Sequence, residues 1–372
     1  MAEPLKTFFS PALVRRLAAD LERADPSFPS KAFVRRATTG LESLELMERG
    51  KLIASALAEH LSHEYPKAIA VLLRSLGPEH ASDELVGAGM APFFYLPHTL
   101  FVAERGLDHF ELSLRAQYEL TKRFSAEGSI RQFIAKDPER TFAALHAWTK
   151  DENAHVRRLV SEGTRLRLPW AVRVPWLDAN PERVLELLEL LKDDRTALVR
   201  RSVANNLNDL GKVHSTLVTA TCKRWARGAS AERQALIRHA LRSLVKKGDR
   251  DALALLGAGA TPEIEITSVR TSPRSVRRGG QVSFSFQLRS SSSGAQQLVV
   301  DYAVHFVKAN GAPRPKVFKL KRITLGGGEC AELGGKISLA EMTTRRHYPG
   351  LHRIELLVNG VAFPLAAFEV LD

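Results

Sequence analysis

The sequence predicts a two-domain protein in which an all-α repeat solenoid precedes an all-β sandwich. Three observations predict it. Hydrophobic residues keep a helical spacing to about residue 258 and alternate after Thr261-Pro262. A short segment of the helical half recurs one repeat later. A chain of 372 residues exceeds one ordinary core and fits two, expected at 1–258 and 262–372.

The helical half opens at Ser10-Pro11, an N-cap followed by proline at the first helical position, and Leu13, Leu17 and Leu21 then repeat a turn apart. The same spacing predicts helices near 42–61, 64–76, 109–126, 137–149, 152–163, 181–191, 197–210, 214–226 and 231–247, with Gly or Pro at most junctions. Asp151-Glu152-Asn153-Ala154-His155-Val156-Arg157-Arg158 is matched by Asp194-Arg195-Thr196-Ala197-Leu198-Val199-Arg200-Arg201, and each copy follows another helix. Weaker echoes stand at Leu236-Ile237-Arg238-His239 and Phe33-Val34-Arg35-Arg36. Two helices per unit of about forty residues is the mark of HEAT-like repeats. In each copy the Asp is expected to cap the second helix, the Val to enter the shared core and an Arg to emerge on the exposed face. Trp148, among Ala and Leu, is assigned to the core.

In the second half Val282, Phe284, Phe286 and Leu288 alternate with Ser283, Ser285 and Gln287. Runs near 263–269, 281–289, 298–308, 316–325, 330–339, 351–358 and 361–370 give about seven strands, the number in an immunoglobulin-like sandwich. Asn359-Gly360 is a hairpin signal between the last two. The Cys–Trp–Cys core of antibody domains is absent, so the prediction is of architecture alone.

The formal net charge of +13 points toward a polyanionic partner, because such a surface concentrates phosphates, although it also serves simple solubility. Residues 259–372 hold 15 Lys and Arg against 9 Asp and Glu, which makes the sandwich the denser in positive charge. Arg270, Arg274, Arg277 and Arg278 cluster near its start, and Lys316, Lys319, Lys321 and Arg322 form a second group. Both are candidate phosphate contacts, with a solvated basic surface as the plain alternative. Cys222 and Cys330 stand far apart, which suits free thiols in a reducing compartment and leaves no thiol metal site. No signal peptide or membrane span is evident. A soluble cytoplasmic monomer that binds a polyanion, without membrane, metal or other cofactor, is the expectation.

Aligning the two copies sets Arg158 beside Arg201 and Glu162 beside Asn205. Arg158 and Glu162 are four residues apart, as are Arg201, Asn205 and Asp209, so each set forms one stripe on its helix. Parallel stacking of neighbouring repeats brings the stripes together on the concave face. Acids there repel phosphates and need another use, unless the stripes are ordinary surface ion pairs. Glu127 is expected at the end of the 109–126 helix. Leu168-Pro169-Trp170 and Val174-Pro175-Trp176 lie among Arg165, Arg167 and Arg173, a mixture suited to stacking on bases and holding phosphates, although Trp is more often core. The P-loop, His-Glu-x-x-His, paired-Cys zinc and Gly-x-Ser-x-Gly motifs are absent from the sequence. His60 and His63 lack a third ligand and read as surface residues, and Gly326-Gly327-Gly328 reads as a turn between strands.

At Ser161-Glu162-Gly163-Thr164-Arg165-Leu166-Arg167-Leu168-Pro169-Trp170-Ala171 the sequence resembles the AlkC branch of the HEAT-repeat DNA alkylation-repair glycosylases. Thr121-Lys122-Arg123-Phe124-Ser125-Ala126-Glu127 and Ser202-Val203-Ala204-Asn205-Asn206-Leu207-Asn208-Asp209 are similar to the same branch. The likeness covers most of the helical half, and some members carry an immunoglobulin-like C-terminal domain. Leu166 departs from the proline of the family pattern. The resemblance implies hydrolytic excision of 3-methyladenine and 3-methylcytosine from kinked duplex DNA, without a base-specific pocket and unlike flipping enzymes. It implies Glu127, Glu162 and Asp209 as the active-site carboxylates, with Arg158 and Trp170 near the lesion. A cationic base leaves without a general acid, so the carboxylates would stabilise an oxocarbenium-like sugar and orient water. Asp209 and Glu127 are expected beside the sugar, with Glu162 supporting. Arg165, Arg201, Asn205 and Trp176 complete the expected DNA-binding set. The competing readings are a non-catalytic HEAT scaffold for nucleic acid or protein, and a chain whose main functional module is the sandwich.

Overall fold

The computed structural model describes residues 4–80, 83, 89–340 and 346–372. Its helices are α1 (Pro11–Ala24), α2 (Ser30–Thr38), α3 (Leu46–His60), α4 (Tyr65–Arg74), α5 (Leu96–Arg105), α6 (Phe110–Thr121), α7 (Ile130–Lys136), α8 (Pro138–Trp148), α9 (Ala154–Gly163), α10 (Pro175–Ala179), α11 (Pro181–Leu191), α12 (Ala197–Leu210), α13 (Ser215–Ala226), α14 (Ala231–Ala240), α15 (Arg242–Lys246) and α16 (Arg250–Leu255). The strands are β1 (Ile264–Ser272), β2 (Ser275–Arg277), β3 (Gln281–Ser290), β4 (Gln296–Val307), β5 (Pro313–Leu325), β6 (Cys330–Ser338), β7 (Gly350–Val358) and β8 (Val361–Leu371). Among the described residues no helix is long and apolar enough to cross a membrane.

Local signals explain most boundaries. Ser10 caps α1 by accepting from the Leu13 amide, and Asp137 caps α8 through the Arg140 amide ahead of Pro138. The expected helix at 109–126 stops at Thr121, which leaves Glu127 in the turn before α7 and not at a helix end. The one at 231–247 breaks at Leu241 into α14 and α15. Helices α2, α5, α7, α10 and α16 escaped the periodicity reading, because most span few turns and α5 and α10 start on prolines. Trp148 is only half-buried, against Tyr118 with ring centroids 6.0 Å apart, so it is not the core residue expected.

The repeat is visible as repeated hydrogen bonding. Val156 and Val199 are both fully buried. Arg157 Nη1 donates to the carbonyls of Asp151 and Glu152, and Arg200 Nη1 donates to those of Asp194 and Arg195. The expectation that Asp caps the second helix needs correction. Asn153 caps α9, while Asp151 and Asp194 accept amides two residues ahead, from Asn153 and Thr196. Of the arginines, Arg201 does emerge, but Arg157 does not. It is buried and meets Asp194 of the next repeat through two contacts, Nε to Oδ2 at 2.6 Å and Nη2 to Oδ1 at 3.0 Å. Both side chains are 5% exposed.

The chain divides into two compact units, Met1–His214 with Ser230–Ala240, and Ser215–Ala229 with Leu241–Asp372. Helix gives way to strand between Leu255 and Ile264, but α13, α15 and α16 belong with the strands, so the expected division at 258 does not coincide with that of the compact units. The attachment is local. A Cβ on Gly248 would lie 3.2 Å from the Gly360 backbone, and Asn359 Nδ2 reaches the Ala260 and Gln297 carbonyls. Thus Asn359-Gly360 does turn the chain between β7 and β8, and it also seats the preceding helices. The sandwich pairs a sheet ordered β1-β3-β6 with one ordered β2-β8-β7-β4-β5. Val282, Phe284, Phe286 and Leu288 point into its core with Leu298, Val300, Tyr302 and Val304. The short strand β2, parallel to β8, is the one not expected from sequence.

The Arg157–Asp194 pair yields a test. Asp194 carries a lowered pKa: burial raises it, and Arg157 with the Thr196 amide more than offsets burial. Its ionised form therefore stabilises the fold above the unfolded value, near 3.8, and that contribution is lost as pH falls through the lower folded value. Asp194→Asn should cost about 3 kcal/mol at neutral pH, since it strands a buried guanidinium. Denaturant unfolding followed by helical circular dichroism should show this gap narrowing below the unfolded pKa. A pH-independent gap would place the effect elsewhere.

Candidate active site

Three separate pieces of chain bring the expected acids together. The turn after α6 carries Glu127, α9 carries Arg158 and Glu162 on one face, and the last turn of α12 carries Asp209. The loop after α9 supplies Arg165. Arg158 Nη1 lies 3.1 Å from Glu127 Oε2, and its Nη2 lies 3.8 Å from Glu162 Oε1. Arg165 Nη1 donates to Glu162 Oε2 at 2.9 Å, and its Nε and Nη2 both reach Asp209 Oδ2 at 2.8 Å. Lys212 closes the row, 2.7 Å from Asp209 Oδ1. The result is an alternating line, Glu127–Arg158–Glu162–Arg165–Asp209–Lys212, with three acids and three cations.

Burial makes this alternation a requirement, because a desolvated carboxylate or guanidinium is costly unless paired. Asp209 is 2% exposed and Glu162 is buried too. Burial by itself would depress the Arg165 guanidinium, but Glu162 and Asp209 more than offset this and raise its pKa. Both oxygens of Glu162 and of Asp209 face cations. Glu127 differs: Arg158 and the Ser125 hydroxyl, at 2.8 Å, both meet Oε2, and Oε1 has no hydrogen-bond partner among the described residues.

Glu127 and Arg158 also border a cavity of about 430 Å³. Phe93, Phe124, Leu96 and Trp170 line it as well, giving it mostly aromatic and aliphatic walls. Trp170 is 63% exposed, has φ 59°, and meets Phe93 edge-on with centroids 6.3 Å apart. A non-glycine residue in left-handed conformation at a site rim is strained, and such strain persists where the surroundings over-determine it.

Other expected residues lie elsewhere. Trp176 packs edge-on against Phe142 at 4.9 Å and is half-buried, so it wedges α10 against α8 and does not join the acids. Arg201 is exposed and outside the ion-pair line, and Asn205 Oδ1 turns to His239 Nε2 of α14 at 3.0 Å. Of the stripe drawn through Arg201, Asn205 and Asp209, Asp209 is the member that takes part in the ion-pair line. In the sandwich, Arg270, Arg274, Arg277 and Arg278 are exposed, Arg278 pairing with Asp372. Lys316, Lys319, Lys321 and Arg322 are exposed on β5, an edge strand. Among the described residues no group of His, Cys, Asp or Glu is arranged to hold a metal ion, since Arg158 and Arg165 separate the three acids.

Sequence reasoning missed Lys212, Arg131 and Asn206. Lys212 had a usable signal, three residues beyond Asp209. Asn206 had little: its buried Nδ2 donates to Ser161 O at 2.8 Å and Thr164 Oγ1 at 3.0 Å, tying α12 to the end of α9. Gly163 allows the close approach beside Glu162, because a Cβ there would lie 2.6 Å from Ile130 Cγ2.

Stacked helix pairs with a carboxylate–arginine line, followed by a β-sandwich, define a helical-repeat enzyme with an appended immunoglobulin-like domain. Residues 124–244 match the family model described as DNA alkylation repair enzyme, and residues 265–372 match that of the C-terminal Ig-like domain of the uncharacterised protein YhaZ. The uncharacterized protein YhaZ of Bacillus subtilis (strain 168) is 34% identical over 98% of this chain and 99% of its own. The solved Pseudomonas fluorescens alkylpurine DNA glycosylase AlkC, bound to DNA containing an abasic site analog, is 36% identical, with a TM-score of 0.91 and all of both chains covered. The chain belongs to the AlkC branch of the HEAT-repeat DNA alkylation-repair glycosylases.

Gly163→Ala tests the packing that sets Glu162. It should destabilise the protein by about 1–3 kcal/mol through overpacking. In an Ile130→Ala background the penalty of Gly163→Ala should be smaller, because the obstructing methyl is gone. Additive effects in this double-mutant cycle, read by denaturant unfolding, would mean that the two residues do not meet as described.

Proposed function

We propose that this chain is a monofunctional DNA glycosylase that hydrolyses the N-glycosidic bond of cationic alkylated bases, 3-methyladenine and 3-methylcytosine, in duplex DNA. The observation that carries the reading is Glu127 Oε1: one open carboxylate oxygen, in an otherwise paired line, on a residue that borders a cavity. The relative of known structure, an alkylpurine DNA glycosylase bound to DNA, supports the same reading.

An N3-methylated base already bears positive charge. When the C1′–N bond breaks, the base keeps the electron pair and leaves neutral, so no acid is needed to protonate it. The sugar becomes cationic, and a carboxylate fixed nearby stabilises that charge as it develops. Water then adds to C1′, and its proton passes to a carboxylate or to solvent. Glu127 is suited to face the sugar. Asp209 joins it where Lys212, the exposed partner, yields. Glu162, held by two arginines, supports Arg158 and Arg165. Trp170 offers an exposed ring for stacking on a neighbouring base.

Glu127→Gln and Asp209→Asn should each slow single-turnover excision by ~100-fold or more, while duplex affinity changes little. The assay is release of free base from alkylated duplex without added metal or nucleotide. A uracil-containing duplex should release nothing, since uracil leaves as an anion unless protonated. Wild-type rates for both variants, or efficient uracil release, would overturn the assignment.

The sandwich is proposed to add phosphate contacts through Arg270, Arg274, Arg277 and Arg278 and through the β5 cluster. Lysines on an edge strand also guard against strand pairing between molecules, which is the competing role. Because α13, α15 and α16 belong to the same compact unit as the sandwich, neutralisation is a cleaner test than truncation at 258. Changing Lys316, Lys319 and Lys321 to Gln should make duplex binding less sensitive to salt. The slope of log affinity against log salt concentration should flatten by roughly one for each phosphate no longer neutralised. An unchanged slope would leave these lysines the edge-guarding role alone.

A further inference from the structure

We infer that Arg131 is the positioning residue of the site, holding the loop after α9 in the one shape that delivers Arg165 to the acids and Trp170 to the cavity rim. Arg131 sits in the first turn of α7 and is 1% exposed. Its guanidinium donates to backbone carbonyls. Nε donates to Val172 O at 2.7 Å, and Nη1 donates to Gly163 O at 2.9 Å and Arg165 O at 2.7 Å. These carbonyls bracket the segment that carries Arg165, Leu168, Pro169 and Trp170.

A loop without regular structure must find partners for its buried carbonyls or bear a desolvation penalty. Here one side chain serves three carbonyls, one in a buried bond and two in part-buried ones, through charge-assisted bonds stronger than neutral ones. Burial and the nearby Arg165 push the Arg131 guanidinium down to about 10, with Asp178 opposing, so at neutral pH it keeps its charge, with backbone carbonyls as its hydrogen-bond acceptors. Apolar side chains would fill the same interior space with a smaller desolvation penalty. What a planar guanidinium adds is geometry: donors pointing in fixed, different directions, which an ammonium on a flexible stem does not reproduce. The two anchors lie on either side of Trp170, whose φ of 59° needs such restraint. Buried Leu166 and Leu168 give the loop apolar footing, but their packing does not fix the direction of its carbonyls.

The test uses the full chain with Arg131→Lys and Arg131→Met, labelled with fluorotryptophan for fluorine NMR. Of the four tryptophans, the Trp170 resonance is assigned by its loss in Trp170→Phe. In both variants that resonance should shift or broaden while those of Trp148, Trp176 and Trp225 stay in place. Only the second readout rests on the glycosylase reading: single-turnover excision at saturating duplex should fall ~10- to 100-fold, the size of effect that a small misplacement produces, with little change in duplex affinity. If the wild-type chain excises nothing, the function proposed above fails while the NMR result still judges Arg131. An unmoved Trp170 resonance overturns the inference. So does movement of all four resonances, which would make Arg131 a residue of the general fold.

Discussion

Everything at the carboxylate line depends on the register between α9 and α12. The two helices run parallel, and polar contacts tie them at both ends. At their starts Arg157 of one repeat meets Asp194 of the next, with Thr196 taking a further guanidinium contact. At their ends Asn206 bonds Ser161 and Thr164, and Arg165 bonds Asp209. Between them, buried Val156, Leu159, Val160, Val199 and Val203 supply the apolar contact. Apolar packing alone tolerates sliding, because dispersion and desolvation are weakly directional. Directional bonds at two ends do not. A shift of α12 by one residue would break both sets at once and carry Asp209 away from Arg165.

This constraint explains why some of the molecule was legible in the sequence. The repeated Asp…Val-Arg-Arg segments are the sequence form of the inter-helix ties, so the repeat identified stacked helix pairs. The alternation of Val282, Phe284, Phe286 and Leu288 identified a half-buried strand in the same way. Glu127, Glu162, Asp209, Arg158 and Trp170 came from likeness to the AlkC branch, and the first four do converge. Spacing alone could not say which residues tertiary contacts draw into the ion-pair line. Arg201 and Asn205 occupy the same stripe as Asp209, yet Asn205 is drawn to His239 on α14, a helix that aligning two repeats could not bring into view. Trp176 shares its Pro-Trp dipeptide with Trp170 but follows a proline that begins a short helix, and so packs inward. Arg131 gave no signal, because its partners are carbonyls, which sequence cannot mark as unsatisfied.

The helical tail gives a related lesson. Change of period locates the end of helix, but compactness follows contact. The approach of Gly248 to Gly360 and the bonds from Asn359 attach the last helices to the sandwich, so the period boundary and the compact-unit boundary differ. Strand β4 reflects this, with Val299, Asp301 and Ala303 buried on the face away from the sandwich core. Asp301 there has a raised pKa, because burial outweighs Lys319, Lys246 and Arg322.

On the proposed reading, the alternating line also resolves a conflict that any acid-based site on DNA must meet. Unpaired acids repel phosphates, yet a cationic transition state needs negative charge close by. Pairing each acid with a cation cancels the field at long range, where opposite charges a few ångströms apart are felt together. At contact distance the cancellation fails, because a reacting centre is nearer one group than its partner. The open Oε1 of Glu127 is where that asymmetry is largest in the line. An arrangement of this kind is nearly neutral toward the duplex as a whole and selective for charge that develops at one point, the difference in stabilisation between ground and transition states on which catalysis depends.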